Sequence, residues 1–373
     1  MELYVHIPFC IRKCQYCDFL SAPSDKSTRE AYVQALLREI RSYAGKVSSG
    51  VTSVFIGGGT PSVLEPEWIS AIMEAIEETF CLTEDAEITM EANPGTVTEA
   101  GLRSYRACGI NRLSLGLQST DQEELKILGR IHTYSDFLGS YQAARRAGFD
   151  NINVDLMFAV PGQTREQWIH TLETVAELNP EHISAYSLII EEGTPFGDKE
   201  PEDLPDEDTE YRMYDDTMEV LERYGYHKYE ISNYARKGHE CRHNVGYWRR
   251  TEYLGLGLGA ASLYRGQRFS VTSDMEEYLR DSSIPEKIHR DVETLTRADQ
   301  MEEFMFLGLR MMEGVSETEF QRQFGCAMDS IYGNILEKYR NEGFLYKRQG
   351  FWSLTEKGIH VSNYILADFL LDQ

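Results

Sequence analysis

The chain has 373 residues, with 37 lysines and arginines against 61 aspartates and glutamates, giving a formal net charge of −24 at pH 7. That acidity excludes a protein that tracks nucleic-acid phosphates, which needs a basic face, and also electrostatic docking on anionic lipid. The hydrophobic fraction of 42 % supports a substantial core, the length suits one large domain plus a smaller one, and no apolar run approaches the roughly 20 residues that span a bilayer.

The N-terminal stretch Met1-Glu2-Leu3-Tyr4-Val5-His6-Ile7 is too short and too acidic for a signal peptide. It predicts a cytoplasmic protein, whose association with membranes would come through protein partners. The stretch reads as a first strand, broken by Pro8 and followed by Cys10-Ile11-Arg12-Lys13-Cys14-Gln15-Tyr16-Cys17. The chain holds seven cysteines, an odd number that argues against a disulfide framework. Three thiols crowded into one cytosolic loop point to a metal or redox centre. On a four-iron cluster, three thiolates would leave one iron open for chemistry. A zinc knuckle with His6 as its fourth ligand is the rival.

Ser27-Thr28-Arg29-Glu30 predicts a capping box for a helix with the apolar stripe Tyr32, Leu36, Ile40 and Tyr43. Strands are expected at 51–56, 87–91, 112–117, 151–158 and 182–190. Helices are expected at 66–79, 98–107, 121–128, 134–147, from 164 to 178, and at 209–224. A six-fold β–α alternation implies a parallel sheet. The polar and Gly-rich signals fall at or near the C-terminal strand ends, the edge that carries the site in such folds. They are Gly57-Gly58-Gly59-Thr60-Pro61, Glu91, Gln118, Arg130 and Asp155. The glycine run suits a tight turn as well as a backbone cradle for an amino acid moiety. It is no phosphate loop, because no Gly-Lys-Ser/Thr follows. Asp155 in an apolar strand is costly unless paired. It can accept ribose hydroxyls, and Arg130 can grip a carboxylate.

Beyond Tyr226 the alternation stops. Residues 226–295 read as a Gly-rich connection carrying Cys241-Arg242-His243-Asn244-Val245-Gly246-Tyr247-Trp248. A potential thiolate and imidazole beside two large aromatics suit axial ligation of a haem iron. They suit equally an aromatic loop that closes the sheet. Helices at 297–312, 316–324 and 331–342, a hairpin at 344–354 and a last helix at 355–371 predict a winged-helix-like module over 296–373. Its expected role is packing or partner binding. Cys81, Cys108 and Cys326 fall in helical apolar patterns and are expected to be buried core thiols.

Tyr4-Val5-His6-Ile7-Pro8-Phe9-Cys10-x3-Cys14-x2-Cys17, with Gly57-Gly58-Gly59-Thr60-Pro61, resembles the radical S-adenosylmethionine (SAM) superfamily. More narrowly it resembles the anaerobic coproporphyrinogen III oxidase-like branch, over essentially the whole chain. The resemblance implies an α/β fold, a partial (β/α)6 radical-SAM barrel over 1–225. It implies a [4Fe–4S] cluster on Cys10, Cys14 and Cys17, with SAM on the open iron. By the same resemblance Tyr4, Gly59, Thr60, Glu91, Gln118, Arg130 and Asp155 fall on SAM-contacting positions. The oxidases of the branch carry a further cysteine two residues after the third, where this chain has Phe19. They also carry an N-terminal extension, whereas nine residues precede Cys10 here. Cys17-Asp18-Phe19 together with His243-Asn244-x2-Tyr247-Trp248 is similar to the haem-chaperone group of the branch. Its members bind haem and pass it to acceptor haemoproteins, respiratory ones among them. That likeness implies haem at His243, Tyr247 and Trp248, with Cys241 a further candidate. The alternative is oxidative decarboxylation of coproporphyrinogen III. Several propionates would then need basic groups, and Arg12, Lys13, Arg249, Arg250 and Arg265 are available.

Overall fold

β-branched and aromatic runs closed by Gly or Pro become strands, and the capped amphipathic segments between them become helices. A computed structural model describes residues 1–371. Six strands run parallel and pair in chain order: β1 (Glu2–Ile7), β2 (Val51–Gly58), β3 (Leu82–Ala92), β4 (Arg112–Gln118), β5 (Ile152–Phe158) and β6 (His182–Ser187). The intervening helices start at polar caps. Thr98, Asp121, Thr133 and Thr164 each accept a backbone N–H from the first turn. The first helix, Lys26–Ser42, is capped by Asp25, which accepts from the Thr28 N–H. The box expected at Ser27 and Glu30 is not what starts it.

Side chains alternate across each strand. One face (Leu3, Val5, Val54, Ile56, Met90, Leu113, Leu115, Val154, Leu156, Ile183) packs into the helix-covered core. The other face is polar and almost as buried, with Glu2, Ser53, Thr89, Arg112, Ser114, Asn153 and His182 all under a tenth exposed. Buried polar groups must find partners. Asn153 Nδ2 donates to Ser114 Oγ at 2.8 Å and to Asp155 Oδ1 at 2.7 Å, while Asn153 Oδ1 meets His182 Nδ1 at 2.7 Å.

The segment 226–295, expected as a connection, is built into the same sheet. It adds β7 (His227–Lys228), β8 (Asn233–Ala235), β9 (Tyr253–Leu256), β10 (Ala261–Tyr264), β11 (Gln267–Val271) and β12 (His289–Thr294). The order across the sheet is β12-β11-β10-β9-β1-β2-β3-β4-β5-β6-β8-β7. Its glycines permit close pairing, since a Cβ on Gly255 would lie 2.1 Å from the Ala261 carbonyl oxygen. Helix Arg242–Trp248 packs against the N-terminal ends of β1–β3, and there a Cβ on Gly246 would stand 1.9 Å from the Glu2 carboxylate.

The C-terminal module has its own core, built on Met305, Phe320, Tyr332, Leu336, Trp352, Ile365 and Phe369. Helices Arg297–Gly308, Glu317–Phe324 and Asp329–Asn341 surround a three-stranded sheet of Val315–Ser316, Phe351–Leu354 and Leu345–Arg348. The single last helix expected over 355–371 is broken at Val361 (φ −113°, ψ 22°) into Glu356–His360 and Ser362–Ala367. Cys81 is exposed and Cys108 and Cys326 are half-buried, so none of the three is a core thiol. Each stands just past a helix, where the chain turns away from the core. Among the described residues no helix is long and apolar enough to cross a membrane.

Candidate functional site

The loop after β1 brings Cys10, Cys14 and Cys17 to the C-terminal edge of the parallel strands. All three are unpaired and half-buried. They line a cavity of about 390 Å³ together with Gly59, Thr60, Glu91, Gln118, Arg130 and Asp155. Two of the sulfurs have donors. Thr60 Oγ1 donates to Cys10 Sγ and Arg130 Nη1 to Cys14 Sγ, each at 3.5 Å. Donors of this kind stabilise thiolates and tune a cluster they hold. His6 is not available as a zinc ligand: its Nδ1 lies 3.0 Å from the Tyr4 hydroxyl and its Nε2 2.8 Å from the Leu20 carbonyl oxygen. Among the described residues no three His, Cys, Asp or Glu side chains converge on a point that one metal ion would fill. Three thiols lining one cavity suit an iron–sulfur cluster, which Cys thiolates hold. Tyr4 is not among the lining residues; its ring stacks on Phe55 at 6.4 Å.

The glycine run has a packing reason. A Cβ on Gly59 would lie 2.6 Å from the Phe9 carbonyl oxygen, and Gly58 sits at φ +104° with the His6 ring 2.4 Å from where its Cβ would be. The run therefore lets the end of β2 lie directly against the cysteine loop. The Gly58 N–H donates to Glu91 Oε2 at 3.0 Å. Burial, with Asp155 adding to it, pushes the Glu91 carboxyl up to about 8. The Asp155 carboxyl is raised by burial too, although Ser114 Oγ (2.9 Å) and Asn153 Nδ2 (2.7 Å) donate to it. Two desolvated carboxyls in one cavity favour a cationic or hydroxyl-bearing ligand. Gln118 holds a left-handed φ of 75° on the same wall, the kind of strain that clusters at functional positions. Arg130 is pinned by Asn93 Oδ1 at 2.7 Å and by the Gly116 carbonyl at 2.5 Å. Asn93, Ser114 and Tyr186 also line this cavity. Of the three only Asn93 carries a signal in the sequence, because it stands in the same strand-end run as Glu91.

A second cavity, of about 910 Å³, lies where the two flanks of the open sheet face each other. Asn233 of β8 lines one side, and Tyr253, Leu263 and Arg268 of β9–β11 the other. Leu307, Arg310, Ile359 and His360 of the C-terminal module close it. Tyr186, Ser187 and Ile189 line both cavities, which makes them neighbours. Tyr247 and Trp248 are on its wall. His243 and Cys241 lie behind that wall, 1 % and 0 % exposed. His243 Nδ1 meets Ser53 Oγ at 2.9 Å, and its ring packs on Phe55 at 5.1 Å and Tyr247 at 4.6 Å. Its Nε2 has no hydrogen-bond partner. Burial, helped by Arg112, pushes the imidazole down to about 3, so it is neutral at pH 7. The Cys241 thiol donates to Glu87 Oε1 at 3.5 Å and is pushed up to about 12 by burial.

Of the basic groups set aside for propionates, Arg249 pairs with Glu313 and Arg250 with Glu303, both at 2.8 Å, and Arg265 donates to the Lys46 carbonyl at 3.0 Å. The second cavity has two further cations, which no motif in the sequence marks. Arg268 is paired with Glu303 at 2.7 Å. Arg310 lies over the Trp248 ring at 5.7 Å and has no carboxylate partner among the described residues.

A parallel six-stranded half-barrel with a three-thiol loop at its C-terminal edge defines a radical SAM protein. Residues 4–175 match the family model for the Radical SAM superfamily, and residues 295–361 match that for the HemN C-terminal domain. The chain is 36 % identical to "Heme chaperone HemW" of Lactococcus lactis, covering 99 % of this chain and 97 % of that one. It is 36 % identical to the protein of the same name from Escherichia coli K12, covering 100 % and 98 %. Among solved structures, coproporphyrinogen III oxidase (HemN) from Escherichia coli matches with a TM-score of 0.85 at 26 % identity, over 99 % of this chain and 89 % of that one. The chain belongs to the HemW family.

Proposed function

We propose that this protein is a haem chaperone of the cytoplasm. It carries a [4Fe–4S] cluster and SAM at the barrel edge and holds haem in the adjoining cavity for delivery to acceptor haemoproteins, respiratory ones among them. Cys10, Cys14 and Cys17 would hold the cluster, and Gly59, Thr60, Glu91, Gln118, Arg130 and Asp155 would meet SAM. Tyr4 would join them only after a movement of its ring. When bound, the cluster and SAM supply one-electron chemistry. The protein's own part is positional. Arg130 ties Cys14 to Asn93 and Gly116, and the Glu91 and Asp155 carboxyls offer acceptors on the same cavity. Tyr247 and Trp248 would wall the haem, with His243 and Cys241 behind them. The observation that carries this reading is the second cavity. It lies at the upper end of the roughly 300–1,000 Å³ of small-molecule sites, is walled by aromatics, and adjoins the cysteine cavity. Its one arginine without a carboxylate partner among the described residues, Arg310, can meet a haem propionate, while Arg12 and Lys13 line the adjoining cysteine cavity.

The test is anaerobic reconstitution followed by parallel assays of haem titration and coproporphyrinogen III turnover. Saturable binding of one haem per chain without turnover is expected. Turnover at the rate of an authentic oxidase, or no haem binding, overturns the reading.

A further inference from the structure

Neither His243 nor Cys241 reaches the proposed haem site, because both are shut behind its wall. The C-terminal module supplies an imidazole instead. His360 stands at the break between helices Glu356–His360 and Ser362–Ala367 and lines the cavity. Its Nε2 lies 3.0 Å from Asp215 Oδ1, and its ring packs against Tyr211 at 4.9 Å and Tyr214 at 5.5 Å. A carboxylate beside Nε2 draws the proton there and leaves the Nδ1 lone pair available. That is the carboxylate–imidazole arrangement that orients metal-binding histidines. Opposite charge for an anionic ligand is also present. Arg310 has Asn363 Oδ1 at 3.4 Å as its polar contact and the Trp248 ring beneath it. Glu230 also lines the cavity, 0 % exposed, with the Trp248 indole, the Asn233 amide and the Ser232 N–H as the nearest donors to its carboxyl.

We propose that the C-terminal module completes the haem site, with the His360 imidazole on the iron and the Arg310 guanidinium on a propionate. The proposal rests on the haem-chaperone reading. It makes the module part of the binding site.

The test uses the full-length protein with its cluster reconstituted, titrated with ferric haem and, separately, with the dimethyl ester of haem. H360A should change the haem absorption and electron paramagnetic resonance spectra and weaken binding by about tenfold or more. H360G should regain the wild-type spectrum when imidazole is added. R310Q should leave the spectra unaltered and weaken binding of haem by roughly tenfold, but should not weaken binding of the ester. If the wild type binds haem while H360A and H360G keep its spectrum and affinity, the ligand assignment fails and the chaperone reading stands. If R310Q weakens haem and ester alike, the propionate assignment fails. Absence of haem binding by the wild type overturns both the assignment and the reading beneath it.

Discussion

Cys14→Ser yields a folded protein that retains little iron after reconstitution. Cys14 occupies the middle of the loop and is the thiol that receives the Arg130 guanidinium at 3.5 Å. A serine oxygen in its place is a hard, weakly acidic donor, and the two remaining thiolates hold a four-iron cluster poorly. The fold should survive, because the loop is half-buried and the apolar core lies on the opposite face of the strands. The iron-to-protein ratio and the visible absorption of the cluster should both collapse, with the thermal unfolding midpoint nearly unchanged. Cys81→Ser and Cys326→Ser, which alter thiols outside this cavity, are the controls and should keep their iron. A Cys14→Ser protein with wild-type iron content contradicts the ligand assignment.

Glu303→Ala destabilises the junction between the C-terminal module and the barrel by about 3–5 kcal/mol. Glu303 lies on helix Arg297–Gly308 and accepts from Arg250 Nε at 2.8 Å and Arg268 Nε at 2.7 Å. Its side chain and that of Arg250 are 8 % and 9 % exposed. Arg250 is itself held at a left-handed φ of 56°. Truncating the carboxylate leaves one buried cation and one half-buried cation with no counter-charge. Breaking a buried pair costs far more than an exposed pair contributes. Chemical denaturation should show a lower midpoint, and limited proteolysis should cut first between the barrel and the module. Glu303→Gln, which still accepts a hydrogen bond, should lose less. If Glu303→Ala changes stability by less than about 1 kcal/mol, the two parts are held together by their other contacts.

The features legible in the sequence are those that neighbouring residues decide. Period-two and helical alternation placed β1 to β6 and their helices within a few residues, except that β3 begins at Leu82 rather than near 87. There the polar run Thr83-Glu84-Asp85 hides the strand. Glu91, Gln118 and Asp155 could be placed near one edge because strand direction alone puts them there, and they line one cavity. What could not be read depends on partners far along the chain. β8 and β9 are three and four residues long, and they exist because β6 and β1 offer them open edges. The Cys241–Trp248 motif gave no sign that its halves would separate. The short helix Arg242–Trp248 turns His243 inward to Ser53 and Tyr247 outward to the cavity. Arg310 and His360 were passed over for the same reason: each reads as an ordinary surface residue until the module closes on the barrel.

The proposed chaperone role requires that haem held in the cavity beside the cysteine loop can be given away. The most direct measurement is to load the reconstituted protein with one equivalent of haem, remove the excess, and mix it anaerobically with an apo-haemoprotein while following both absorption spectra. Haem should leave this protein and appear in the acceptor while the cluster's absorption persists. Haem that stays with this protein, or an acceptor that remains empty, contradicts the chaperone role.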